Sequence, residues 1–159
     1  MKKLIIIRHS KSDWNYNTSD LLRPISNRGI KDAKIMSNVL NKLEFQIDHI
    51  FISIAKRTIE TANIFFDISN TQIPYSYEEK IYDFSGYNVL DFIKKINDKI
   101  NSTVLFTHNN SCNFLVSHFY NKSIHVPTSS ILVFDFNVNL WKDIKEANSF
   151  RYYFPKDYR

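Results

Sequence analysis

Two arginines and two histidines stand just past apolar runs of the chain. The run at 4–7 (LIII) leads straight into Arg8 and His9. HIFIS (49–53) is followed a few residues later by Arg57, and TVLFT (103–107) is followed at once by His108. These residue types suit one chemistry. A guanidinium fork matches pairs of phosphate oxygens, and a neutral imidazole can donate a hydrogen bond or attack phosphorus. A strand that simply stops does so more often at Gly, Asn, Asp or Pro. One histidine at a strand end means little, but four such residues at three strand ends point to a reactive anion site.

The elements that must carry these residues follow from the apolar pattern. Strands are predicted at 3–7, 49–53, 73–77, 103–107, 130–136 and 151–154, the last two paired with each other. Helices are predicted at 27–43, 54–67 and 90–100, and from Asn109 or Asn110 to about Tyr120. Ser26 is placed to cap the first of them, after a long loop over 8–27. Strands alternating with helices imply an α/β fold, a three-layer sandwich around a mainly parallel sheet. In such sheets ligands bind beyond the carboxyl ends of the strands. Helix N-termini near 55 and 109 would add partial positive charge there.

Composition narrows the classes. The chain has 159 residues, which suits a single domain over 1–159. The net charge of +5 favours anionic ligands, yet no block of like charge and no basic–aromatic interleaving indicates nucleic acid. Cys112 stands alone, so no internal disulfide forms and no paired-cysteine metal motif exists. The apolar start is too short for a secretion signal and no run reaches membrane-spanning length. The expectation is a cytoplasmic protein that does not engage a membrane. With two glycines in the chain, Asn and Asp must supply most left-handed turns.

Four segments carry a family resemblance. RHSKSDWN (8–15) resembles the R-H-G-x-S-x-W-N signature of the histidine phosphatase superfamily, which includes the phosphoglycerate mutases. RPISNRG (23–29), SIAKRTIETA (53–62) and LFTHNN (105–110) resemble its R-P-L-S/N-x-R-G, S-x-A-x-R-T-x-E-T-A and V-G-H-N-P segments. In its brevity the chain is most similar to the SixA-type branch of small phosphohistidine phosphatases. The resemblance implies a phosphoglycerate mutase-like fold and a reaction that needs no metal or cofactor. It implies that His9 is the nucleophile and becomes phosphohistidine. Arg8, Arg57 and His108 would clamp the phosphoryl oxygens, and Asn15 would contact phosphate. EEKIYDFSG (78–86) is similar to the L-Y-E-A/P segment of the short members, which puts Asp83 at the position of the general acid.

The chain departs from the family pattern at Ser10, where Gly or Ala is usual, at Thr107, where Gly is usual, and at Asn110, where Pro is usual. Ser10 would turn a hydroxyl toward the site, and Thr107 would crowd it. Glu60, Glu78 and Glu79 read as structural or exposed carboxylates, and His118 and His125 match no catalytic position. A thiol mechanism at Cys112 would need a basic partner, and His108, four residues away, points back at a strand end. Trp14 and Tyr16 could line the way in or anchor the long loop, and Arg23 and Arg28 could widen the positive rim. The leading expectation is a phosphatase acting on protein phosphohistidine, such as that of a histidine phosphotransfer domain. A small-molecule phosphomonoesterase or pyrophosphatase on the same site is the alternative. A phosphate-binding interaction module without turnover is the reading from outside the enzymes.

Overall fold

In a computed structural model, which describes residues 1–159, the opening apolar run becomes β1 (Lys2–Arg8), with Leu4 to Ile7 fully buried. The other strands are β2 (His49–Ser53), β3 (Tyr75–Glu78), β4 (Ser102–Thr107), β5 (Ile131–Phe136) and β6 (Ser149–Tyr153). They form one sheet in the order β3-β2-β4-β1-β5-β6. The pairs β3–β2, β2–β4 and β4–β1 are parallel, and β5 and β6 close one edge as an antiparallel pair.

Strand residues alternate between two cores because successive side chains point to opposite faces. Ile5 and Ile7 join Ala33, Met36 and Leu40 of α1 (Asn27–Lys42) and Ala62 and Phe65 of α2 (Lys56–Phe66). Leu4 and Ile6 join Val89 and Ile93 of α3 (Tyr87–Lys94) and Leu115, Val116 and Phe119 of α4 (Ser111–Tyr120). β1 is thus apolar at consecutive positions because both of its faces are covered. Each fully buried Ile or Leu contributes roughly 1.5–3 kcal/mol relative to exposure. Asp67 and Asn121 end α2 and α4 in the left-handed region, in keeping with the scarcity of glycine.

Several element boundaries differ from those expected, β6 among them, which runs from Ser149 to Tyr153 rather than over 151–154. The third strand begins at Tyr75 rather than 73, and Pro74 offers its carbonyl to the amide of Ile50. The third helix runs from 87 to 94 rather than 90 to 100. Its start is set by the Asp83 carboxylate, which gathers amides of the first turn. Its apolar periodicity continues into a following turn where Ile96 is still buried.

The loop after β1 is pinned at three places by side chains of the segments that carry the family resemblance. Ser26 caps α1 by accepting from the amide of Gly29, and its own amide and hydroxyl both donate to the Lys11 carbonyl. Glu60 of α2 accepts from the amide of Ile25. Thr61 accepts from the amide of Ser10 at 2.9 Å. Gly29 is required where α1 meets this loop, since a Cβ there would lie 2.3 Å from the Lys11 carbonyl oxygen. Gly29→Ala is therefore expected to cost about 1–3 kcal/mol, as overpacking does, and to shift the segment that follows His9. Chemical denaturation measures the first effect, and loss of phosphate affinity the second.

Candidate active site

The register of the parallel strands brings the chemistry together. Arg8, the last residue of β1, lies opposite Thr107, the last residue of β4. The next residues, His9 and His108, therefore emerge side by side, with ring centroids 5.3 Å apart. Arg57 enters from the first turn of α2, beyond the end of β2. A pocket of ≈ 220 Å³ opens at this edge, lined by Arg8, His9, Asp20, Arg23, Arg57 and Phe84 among others. A larger apolar cleft of ≈ 360 Å³ lies elsewhere, beside His49 and Phe51 at the amino end of β2, and holds none of these residues.

The state of His9 follows from its contacts. Its Nδ1 lies 2.8 Å from the carbonyl oxygen of Ser10, which can only accept. Nδ1 therefore carries the hydrogen, and Nε2 presents a lone pair. Burial pushes the His9 pKa well below the usual histidine range, and His108, Arg57 and Arg8 push it further, against the Ser10 carbonyl. The ring is neutral, as nucleophilic attack requires.

Arg57 is the hub. Its Nε donates to His9 Nε2 at 3.4 Å, and its Nη2 faces His108 Nδ1 at 3.3 Å. Nη1 donates to the Asp20 carbonyl at 2.6 Å, and Nη2 to the Asp20 carboxylate at 3.0 Å. Because a guanidinium only donates, His108 Nδ1 accepts, and its Nε2–H donates to the Ser53 hydroxyl at 2.7 Å. Burial and the charge of Arg57 hold the His108 pKa down to about 3. His108 is fully buried and does not line the pocket. Its Nδ1 holds Arg57, which lines the pocket. Arg8 donates through Nη1 to the Val126 carbonyl at 2.7 Å, while its buried Nε has no partner, an unmet donor beside the pocket.

Two further expected site residues do not line the pocket. Asn15 is exposed, its amide bonds the Asp13 carboxylate, and its side chain does not line the pocket. The loop turns outward there, and the ring of Trp14 stacks on the Arg23 guanidinium at 3.6 Å. Asp83 is buried, and both of its oxygens are engaged. They accept from the Ser85 amide and hydroxyl and from the amides of Gly86, Asn88 and Val89. Burial would raise its pKa, but these bonds outweigh it and lower it. A carboxylate so engaged caps α3 and has no proton to give.

The departures at Ser10 and Thr107 do not reach the pocket. The Ser10 hydroxyl bonds that of Ser129 at 2.6 Å, and Thr107 donates to the Ile81 carbonyl at 2.8 Å, both fully buried. Burial pushes the Cys112 thiol up to about 12, which removes a thiolate from consideration. Glu79, His118, His125 and Arg28 are exposed and outside the pocket. Tyr16 is exposed on the outer loop.

Three functional neighbours went unnoticed in the sequence. Ser53 orients His108, and Tyr82 donates to Asp20 at 2.6 Å. Asp20 lines the pocket and bonds Arg57. Ser53 and Tyr82 lie in the resembling segments 53–62 and 78–86, whereas the local signal for Asp20 is its spacing to Arg23 before Pro24, which pairs them across a short 3₁₀ turn (Asp20–Leu22) at 2.9 Å.

The model of the histidine phosphatase superfamily (branch 1) matches residues 4–88, more than half of the chain. The chain belongs to that superfamily. Among curated relatives, a 2,3-bisphosphoglycerate-dependent phosphoglycerate mutase of Blochmanniella floridana is 34% identical over 76 residues, covering 45% of this chain and 33% of the mutase. The mutase of Buchnera aphidicola subsp. Baizongia pistaciae is 32% identical over 112 residues, covering 62% of this chain and 47% of the mutase. The chain thus spans a third to a half of the length of these relatives. Among solved structures, the protein histidine phosphatase SixA complexed with tungstate superposes with a TM-score of 0.82 at 16% identity, covering 99% of both chains. The alpha-ribazole phosphatase of Shigella flexneri gives 0.63 at 14% identity, covering 92% of this chain and 96% of that one. These superpositions establish a shared histidine-phosphatase fold, the α/β sandwich anticipated from the strand–helix alternation.

Proposed function

We propose that this histidine phosphatase family member hydrolyses phosphoryl groups through a phosphohistidine formed on His9. The observation that carries the reading is the His9 Nε2 lone pair, held on a neutral ring beside Arg57 and the unmet donor of Arg8. His9 Nε2 attacks phosphorus as the leaving group departs in line. Arg8 and Arg57 spread the charge of the equatorial oxygens, the role that preorganised donors play in such transfers. Water then attacks the phosphohistidine, phosphate leaves, and His9 returns to its neutral form. The Nδ1–H bond to Ser10 keeps the ring in one orientation through both halves.

Protein phosphohistidine is the substrate class favoured here. The fold-level match to SixA supports it. So does the exposure of Trp14 and Phe84, which line the pocket yet stay open to a partner. A phosphoryl group on a protein surface suits a shallow, open site, whereas a metabolite is usually enclosed. The competing reading is a phosphomonoesterase or mutase acting on small molecules, supported by the mutases of similar sequence. A side-by-side assay decides between them. Phosphohistidine in a peptide or protein is expected to turn over faster than sugar phosphates and 3-phosphoglycerate. Equal or faster turnover of the small esters, or transfer of phosphate to phosphoglycerate, would overturn the substrate assignment.

A further inference from the structure

With Asp83 tied up at the start of α3, the site needs another source for the proton that a basic leaving group requires. Among the residues lining the pocket, Asp20 is the one carboxylate. Its side chain is 43% exposed, so it meets both the pocket and solvent. One oxygen accepts from Arg57 at 3.0 Å and from the Tyr82 hydroxyl at 2.6 Å, and the other from Arg23 at 2.9 Å. We propose that Asp20 is the proton-carrying carboxylate of this site, donating to the leaving atom as His9 takes the phosphoryl group. This rests on the phosphatase reading above.

The charges facing Asp20 explain how one group can be an anion at rest and an acid in the complex. Arg57 faces it from α2, Tyr82 from the turn before α3, and Arg23 from its own turn; His9 and His108 face the same guanidinium. In the free protein burial would raise its pKa. The bonds from Tyr82 and Arg57 and the charges of Arg57 and Arg23 outweigh burial and hold it at about 2. A phosphoryl dianion on Arg57 reverses the balance. It takes donors that Asp20 now uses and puts negative charge beside the carboxylate, which favours the protonated form. Asp20 then enters the reaction carrying a proton taken up from solvent as the phosphoryl group binds.

The cycle balances. His9 Nε2 forms a bond to phosphorus, the bond from phosphorus to the leaving atom breaks, and that atom takes the proton from Asp20. In the second half water attacks phosphorus, its proton passes to Asp20, and the bond from phosphorus to His9 breaks. The net change is hydrolysis. Microscopic reversibility makes the same carboxylate acid and then base.

The test compares Asp20→Asn with wild type on two aryl phosphates. The leaving oxygen of phenyl phosphate is strongly basic and needs a proton, whereas that of 2,4-dinitrophenyl phosphate does not. Asp20→Asn is expected to lose about 10²-fold in kcat/KM on phenyl phosphate, the low end of general acid contributions, and to stay close to wild type on the dinitrophenyl ester. The alkaline limb of the phenyl phosphate pH profile should disappear with it. Asp20→Glu should recover part of the loss. Tyr82→Phe keeps the carboxylate and should show no split between the two esters. Equal losses on both esters would overturn the proposal and leave Asp20 as a holder of Arg57. Equal gains would also overturn it and make Asp20 an internal competitor of phosphate. Labelling of His9 by radiolabelled dinitrophenyl phosphate in wild type reports separately on the phosphatase reading. Absence of that label would overturn the reading and the acid together.

Discussion

His9→Ala is expected to abolish phosphoenzyme formation and to lower turnover on the order of 10⁴–10⁶-fold, the scale seen when a catalytic nucleophile is removed. Incubation with a labelled phosphoramidate, quenched in base, should leave base-stable, acid-labile label on wild type and none on the variant. The large effect follows from the lack of a substitute. His108 is fully buried and has both nitrogens engaged, with Ser53 and Arg57. Cys112 is buried with its thiol pushed up to about 12. The fold itself should tolerate the change, because the His9 side chain bonds only its neighbour's carbonyl and Arg57. Wild-type thermal stability with no label therefore marks a chemical loss. Label retained on His9→Ala would remove His9 from the mechanism.

Arg57 carries the second-largest expectation. Arg57→Ala should cost on the order of 10²–10³-fold in kcat/KM, as for the loss of one preorganised donor. Arg57→Lys should recover little. An ammonium is a point donor, whereas Arg57 reaches His9, His108 and both the carbonyl and carboxylate of Asp20 from one planar fork. A pH signature accompanies the loss. Burial and His108 lower the His9 pKa most, but Arg57 lowers it further. Removing that charge lets the pKa rise, and protonated His9 has no lone pair to attack with. The acid limb of the kcat/KM profile should therefore move to higher pH in Arg57→Ala. A rate loss with an unmoved acid limb would show that Arg57 binds phosphate without tuning His9.

The contrast between legible and hidden features runs along one physical line. Arg8, His9, Arg57 and His108 were legible because each ends or follows an element with a strong local pattern. β1 shows itself by four consecutive apolar residues, and β4 by a similar run. Parallel order then sends their carboxyl ends to one edge. The three-layer sandwich and the pairing of β5 with β6 were likewise written in strand–helix alternation and apolar content.

What the sequence could not order was the use of polar side chains once the chain closed up. Asp83 and Asp20 both lie between the main elements, and the spacing of Asp20 and Arg23 foretells their pairing without saying which acid faces the pocket. The answer depends on which amides lie within reach. Asp83 sits under the first turn of α3 and is consumed by its unpaired N–H groups. Asp20 is carried across the sheet edge by the pinned loop and meets Arg57 and Tyr82, respectively 37 and 62 residues away in the chain. The same reasoning separates Asn15, turned outward beside Asp13, from Ser10 and Thr107, whose hydroxyls find buried partners. Apolar periodicity is a local property, so the sequence by itself determined the layers and the strand ends. Hydrogen-bond partnership between distant loops is a tertiary property, and only the tertiary structure decided which carboxylate stands in the site.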